Sequence, residues 1–436
     1  MKIVRYFFLA FLVFSCENPS SSPKNIVTSD IDHFWEAYDK IIATEDSTLQ
    51  YQWLDSLYFQ KGTKGLHAIR EARNYTPKDY IDAINNYPKF WNSVRKNTLK
   101  ANTFAYELEQ GIENLRQLYP DLKPAKIYFT IGALRTNGTT LDSLVLLGSE
   151  LAMTDKNTVV SEFPEPLRSG RRAFFDRNPI DNLVLLNVHE YVHTQQKPAL
   201  ENLLSFSIRE GVAEFVSCKA MGVPSSTPAV SFGKNNDAVR QKFERELFYG
   251  NNLYQWLWSD SPNEFGVRDL GYYIGYELSE RYYTQASDKN QAIKNLIELD
   301  YTNEKEVEEF VNGTGFFSNT LENLYQDYEN RRPIVKAIQP FQNNSEKVNP
   351  KTNQITVVFS EPMNEEFRNF DYGPLGEEAV VRFKELIGYS EDGTMLTFEI
   401  EPLEPNKQYQ LLIGWGFRNL ENVPLKPYLI DFKTDK

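Results

Sequence analysis

The chain has 436 residues, 41% apolar and 25% charged, a balance that excludes a disordered polymer and a membrane-embedded bundle. Its formal net charge of -13 argues against nucleic acid or an anionic lipid surface as a partner. The length exceeds one ordinary core, so two domains are expected.

At the N-terminus, Lys2 and Arg5 accompany an apolar stretch at 3–14. It is shorter than the roughly 20 residues of a bilayer span and fits a cleaved secretory signal over 1–15. The run VFSC, ending at Cys16, resembles a bacterial lipobox. That resemblance implies an acylated Cys16 as first residue of the mature chain, anchored to a membrane without a spanning helix. The Ser-, Pro- and Asn-rich segment 16–28 reads as a flexible tether. The other cysteine, Cys218, sits in a helical pattern and reads as a small buried apolar residue.

Helical patterns run from about 29 to 119, with Thr76-Pro77-Lys78-Asp79 as one helix start. Two strand-like runs follow, KIYFTI at 126–131 and LVLLG at 144–148. The turn residues at 135–140 between them predict a hairpin. The polar stretch reaching Asn178 is long enough for a functional loop. Pro179 opens a mostly buried helix, 203–221 is the next, and others are expected near 235–258, 271–287 and 317–331. Beyond Arg332-Pro333 the pattern changes to strands at 355–359, 394–400, 409–413 and 430–434, which predict a β-sandwich and a boundary near 333.

Within the helix after Pro179, the run HEYVH sets His189 and His193 at i and i+4, on one face and one turn apart. Two neutral imidazoles so placed suit Zn²⁺. Glu190, beside the first, is positioned to reach a metal-bound water as general base rather than the metal itself. Sixteen residues lie between His193 and the run EGVAE, which begins at Glu210. A helix returning alongside the first would bring Glu210 in as third protein ligand and leave the fourth position open. Glu214, one turn on, is placed to accept the free N–H of a ligating histidine.

HExxH followed at this distance by EGxAE resembles the gluzincin metallopeptidases. Residues 30–333, through FWNSVRKNTL, IYFTIGALRTNGTT, HEYVHTQQ, REGVAE and GYYIGYEL, are similar to a family of predicted bacterial Zn-dependent proteases, otherwise a domain of unknown function. One departure is Gln195, where such sequences often have a hydrophobic residue. The resemblance implies an oxyanion donor from a Tyr, His or Arg. Tyr272 and Tyr276, at i and i+4, are the candidates, with aromatic core packing as the alternative for each; Arg209 is expected to pair with a carboxylate. His33 and His67 lie in the N-terminal helical block and read as structural. From the usual zincin layout, 144–148 is expected to be an edge strand for an extended peptide. Residues 333–436, through ITVVFSEPM and LEPNKQYQ, resemble an SbsA-type bacterial Ig-like domain, usually a spacer or adhesion module.

Together these imply a multidomain protein: a mostly helical α+β zincin-like metallopeptidase domain over 29–333 and an all-β Ig-like sandwich over 334–436. The expected protein is a lipid-anchored peptidase of the bacterial cell envelope with one Zn²⁺ and peptide or protein substrates. The alternatives are a non-catalytic zincin-fold binding or assembly lipoprotein, and a zinc hydrolase of non-peptide amides.

Overall fold

The computed structural model describes residues 25–250, 252–259 and 263–436. The signal at 1–15, Cys16 and the tether up to residue 24 lie outside the described residues. The protein is mixed α+β and multidomain, with two compact units. The first runs to Gln195 and includes Lys219–Gly222; the second comprises Gln196–Cys218 and Val223–Lys436. Among the described residues no helix is long and apolar enough to cross a membrane.

The first unit is built on aromatic packing. In the helix Ser29–Ile41, the apolar residues Ile31, Phe34, Trp35, Tyr38 and Ile41 recur at helical spacing and are buried. Phe34 meets Trp91 at 5.0 Å and Tyr58 at 5.3 Å between ring centroids.

A sheet completes this unit: β1 (Ile26–Val27), β2 (Lys126–Thr130), β3 (Gly138–Leu141) and β4 (Leu144–Gly148), in the order β1-β2-β4-β3. Three sequence expectations are corrected here. The predicted tether stops short of Thr28, because the β-branched pair Ile26–Val27 lies parallel to β2. The runs at 126–131 and 144–148 do not form a hairpin; β2 and β4 are parallel neighbours. The hairpin joins β3 to β4 instead, with Asp142 at φ 51° in its two-residue turn. Thr139 and Thr140, read as turn residues, are therefore strand residues. For the same reason β4 is an inner strand and β3 holds the edge. The buried run of β4 suits that place, since an inner strand covered on both faces needs no polar alternation.

The polar stretch up to 178 is partly helical, at Ser149–Ala152 and Leu167–Phe175. Its Glu150 is fully buried, and its carboxylate accepts N–H bonds from Gly132 at 2.9 Å and Leu134 at 3.1 Å. Those bonds grip a bend in which Leu134 has φ 66°, a left-handed conformation that a branched residue adopts only under constraint. Burial pushes the Glu150 carboxyl up from 4.5 to about 7 against the pull of the two amides. A folded pKa above the unfolded one favours the fold most below pH 4.5 and loses that advantage as pH rises through about 7. The loss is expected to be roughly 3 kcal/mol. Denaturant titrations at pH 4.5 and 7.5 check it: Glu150→Gln should flatten the difference by about that amount, and an unchanged pH slope would contradict it.

In the second unit, the helix expected at 235–258 is broken into Asp237–Glu246 and Leu253–Trp256. Helices Lys289–Glu298 and Glu304–Thr314 add to those expected. From Val335 the chain forms two four-stranded sheets. One has the order β5-β7-β10-β9, with β5 Val335–Gln339, β7 Gln354–Phe359, β9 Phe383–Tyr389 and β10 Met395–Ile400. The other has the order β6-β12-β11-β8, with β6 Ser345–Val348, β8 Phe370–Asp371, β11 Gln408–Ile413 and β12 Tyr428–Thr434. Alternate residues of β7, β10 and β12 turn inward, so that Ile355, Val357, Leu396, Phe398, Ile430 and Phe432 join one core. The sheets are tied to the preceding helix Leu321–Arg331: Lys426 Nζ lies 2.9 Å from Glu329, and Val423 packs with Tyr249 and Tyr328.

Candidate metal centre

The helix Leu183–His193 follows a 3-10 turn at Pro179–Asn182. Leu183, Val188, Tyr191 and Val192 are fully buried, and Asn187 satisfies its buried amide on the Leu183 carbonyl at 2.7 Å. Behind it lies the helix Ala101–Leu118, where a Cβ on Gly111 would sit 2.9 Å from Val188 Cγ2. The C-terminal end of the helix Leu183–His193 is anchored to the segment leading into β2. Ala125 N–H donates to Tyr191 Oη at 2.8 Å, and Gln195 takes both backbone groups of Lys123, at 2.8 and 3.1 Å. Gln195, the residue departing from the family pattern, thus serves as an anchor that a hydrophobic side chain could not provide.

On this helix the His189 and His193 rings lie 4.7 Å apart between centroids, with planes at 86°. Both rings are buried, whereas Glu190 is only partly covered. The helix Leu203–Met221 carries Glu210 and Glu214, both buried. Burying a carboxylate is costly unless a cation or hydrogen-bond donors compensate it. His189, His193 and Glu210 each offer one ligand atom, and these atoms lie within 4.8 Å of one another. Zinc holds nitrogen and oxygen ligands at about 2 Å, so one ion is in reach of all three. Two imidazoles and one carboxylate, buried together, form a donor set that fits zinc.

The surroundings of Glu210 distinguish the two tyrosines, both on the helix Leu270–Gln285. Tyr272 donates its hydroxyl to Glu210 and accepts from Trp258 Nε1 at 3.3 Å. Burial, followed by the negative charge of Glu210, pushes the Tyr272 phenol well above its ordinary range, so it stays a proton donor. Tyr276 instead packs edge-on against Phe215 at 5.5 Å, with Lys234 Nζ 4.7 Å from its ring centroid. Arg209 Nη1 approaches Glu210 Oε1 at 3.7 Å.

Glu214 takes the hydroxyls of Ser225 and, at 3.0 Å, Thr227 on one carboxylate oxygen. Sequence reasoning missed these two residues; SSTP at 225–228 reads only as a turn before a proline-started helix. Gly211 is small because two helices approach closely there. A Cβ there would lie 2.1 Å from the Gly275 carbonyl carbon, and one on Gly275 would lie 1.9 Å from the Ser207 oxygen. The helices bearing Glu210 and Tyr272 therefore touch backbone to backbone. Cys218 is buried on the Glu210 helix. His33 and His67 stand on the helices Ser29–Ile41 and Lys64–Ala72, outside the His189–His193–Glu210 group.

No family model and no curated protein matches the chain. Among solved structures it is similar to the N-terminal part of the bacterial S-layer protein SbsC, at 14% identity and a TM-score of 0.19, over 93% of this chain and 70% of that one. Against SbsC domains 1-6 the identity is 12% and the TM-score 0.19, over 94% of this chain and 45% of that one. Against rSbsC(31-844) the values are 10% and 0.19, over 82% and 45%.

Proposed function

We propose that this chain is a zinc-dependent metallopeptidase in which His189, His193 and Glu210 hold the ion and Glu190 is the general base. The observation that carries this reading is the convergence of three buried ligand atoms within 4.8 Å, with Glu190 adjacent to the first ligand and open to solvent on one side. When bound, zinc supplies Lewis acidity, polarising a carbonyl and lowering the pKa of water. The Glu190 carboxylate accepts the proton of the attacking water and later delivers it to the departing amine. Tyr272, held as a proton donor beside Glu210, is assigned to the developing charge on the carbonyl oxygen. Tyr276, engaged by Phe215 and Lys234, is given a packing role.

The wider reading is a zincin-like catalytic region followed by an Ig-like sandwich and anchored to a bacterial membrane through an acylated Cys16. The single core shared by two four-stranded sheets supports the sandwich, and the VFSC run supports the anchor. Metabolic labelling with a fatty-acid analogue tests the anchor: a label that survives Cys16→Ser refutes it.

Metal analysis of the purified protein tests the centre. About one zinc per chain is expected, lost on His193→Ala, and removal by a chelator should abolish peptide cleavage until zinc is restored. A chain folded as wild type with no zinc at micromolar supply would overturn the metal reading.

A further inference from the structure

The second unit contains a cleft of about 1090 Å³ against the first turn of the helix Leu203–Met221. Among the described residues four carboxylates line it, Glu201, Glu304, Glu308 and Glu322, and no lysine or arginine does. Among the described residues none of the four has an ion-pair partner; Asn312 Nδ2 donates to Glu308 at 3.4 Å and Gln326 Nε2 donates to Glu322 at 3.0 Å. Two lining tyrosines expose large apolar faces, Tyr254 at 62% and Tyr325 at 42%. Carboxylates with unpaired charge beside open aromatic rings form an environment suited to a cation on an apolar stem: the carboxylates attract it, the ring faces attract it through their quadrupoles, and the stem covers the rings.

One helix runs from the cleft to Glu210. Leu203 lines the cleft, and Leu203 and Glu210 are seven residues apart, two turns along the same helix face. That is about 10 Å of helix. An extended chain advances about 3.3 Å per residue, so a peptide held at Glu210 needs about three residues to enter the cleft.

We infer that the cleft is a specificity subsite that receives a lysine or arginine side chain of a peptide substrate, an inference that rests on the peptidase reading. The carboxylates would repel an acidic side chain and give a neutral one no electrostatic gain, so the preference should be for basic peptides.

The probes are a fluorescein-labelled octapeptide of alanine and leucine carrying two lysines and its counterpart carrying two glutamates. Binding is followed by fluorescence anisotropy in the full-length Glu190→Gln protein, which removes turnover from the measurement. The lysine peptide is expected to bind at least ten-fold more tightly, and Glu304→Gln with Glu308→Gln should cut that preference below three-fold. If that pair disturbs folding, Glu201→Gln with Glu322→Gln reads the same quantity. Equal binding of the two peptides, or a preference that survives both pairs, would overturn the subsite. Wild-type cleavage separates the two readings. Equal hydrolysis of both peptides overturns the subsite and leaves the peptidase standing. Selective binding with hydrolysis of neither peptide overturns the peptidase and leaves the cation-binding cleft.

Discussion

Glu190→Gln is expected to keep zinc and lose peptide hydrolysis by on the order of 10³-fold, about 4 kcal/mol in the activation barrier. The substitution preserves the shape of the side chain and removes only its ability to take a proton. Glu190 is not one of the three residues whose ligand atoms converge, so metal content should be unchanged. It is also only partly buried, so neutralising it leaves no interior charge without a partner. Zinc content and kcat/KM measured on one preparation decide the matter, and a variant with wild-type turnover would remove Glu190 from the chemistry. Tyr272→Phe and Tyr276→Phe belong in the same assay. Loss of the Tyr272 hydroxyl should cost on the order of 10² in kcat with KM little changed, because the donor acts where charge develops. Tyr276→Phe should leave kcat within about three-fold, since Phe215 packs against the ring and not the hydroxyl. Equal effects of the two replacements would undo the assignment.

The second large effect concerns a contact away from the chemistry. Gly275→Ala is expected to lower stability by about 3 kcal/mol and the melting midpoint by several degrees. The added methyl would stand 1.9 Å from the Ser207 carbonyl oxygen and 2.9 Å from Gly211 Cα. Both are backbone, so no side-chain rotation relieves the clash and the two helices must separate. Tyr272 lies three residues before Gly275, and Glu210 is adjacent to Gly211, so zinc affinity should fall together with stability. Gly313 provides the comparison. It stands in the helix Glu304–Thr314 with nothing within 4 Å of a Cβ, so Gly313→Ala should stabilise by about 0.5–1 kcal/mol. Thermal melts of the two variants beside wild type check both signs, and a Gly275→Ala midpoint within one degree of wild type would contradict the contact.

Short-range geometry made part of this protein readable from residues alone. Four residues are about one helical turn, so HEYVH placed two imidazoles on one face before any fold was known, and the observed helix Leu183–His193 sets their rings 4.7 Å apart. The inward alternation of Ile355, Val357 and Phe359 marked a half-buried strand in the same local way. What depended on contacts between distant segments was not readable. Ser225 and Thr227, whose hydroxyls bond Glu214, gave no local sign of that contact. Tyr272 and Tyr276 share a helix and a spacing, yet only Tyr272 is hydrogen-bonded to Glu210, while Tyr276 meets Phe215 and Lys234. Sheet order was hidden for the same reason, since Leu144–Gly148 gives no local sign that Gly138–Leu141 pairs along its outer side. Periodicity decides which way a side chain points within its own element. Which partner it meets depends on the packing of elements far apart in the chain, and here a glycine–glycine crossing at 211 and 275 brings the tyrosine helix up to Glu210.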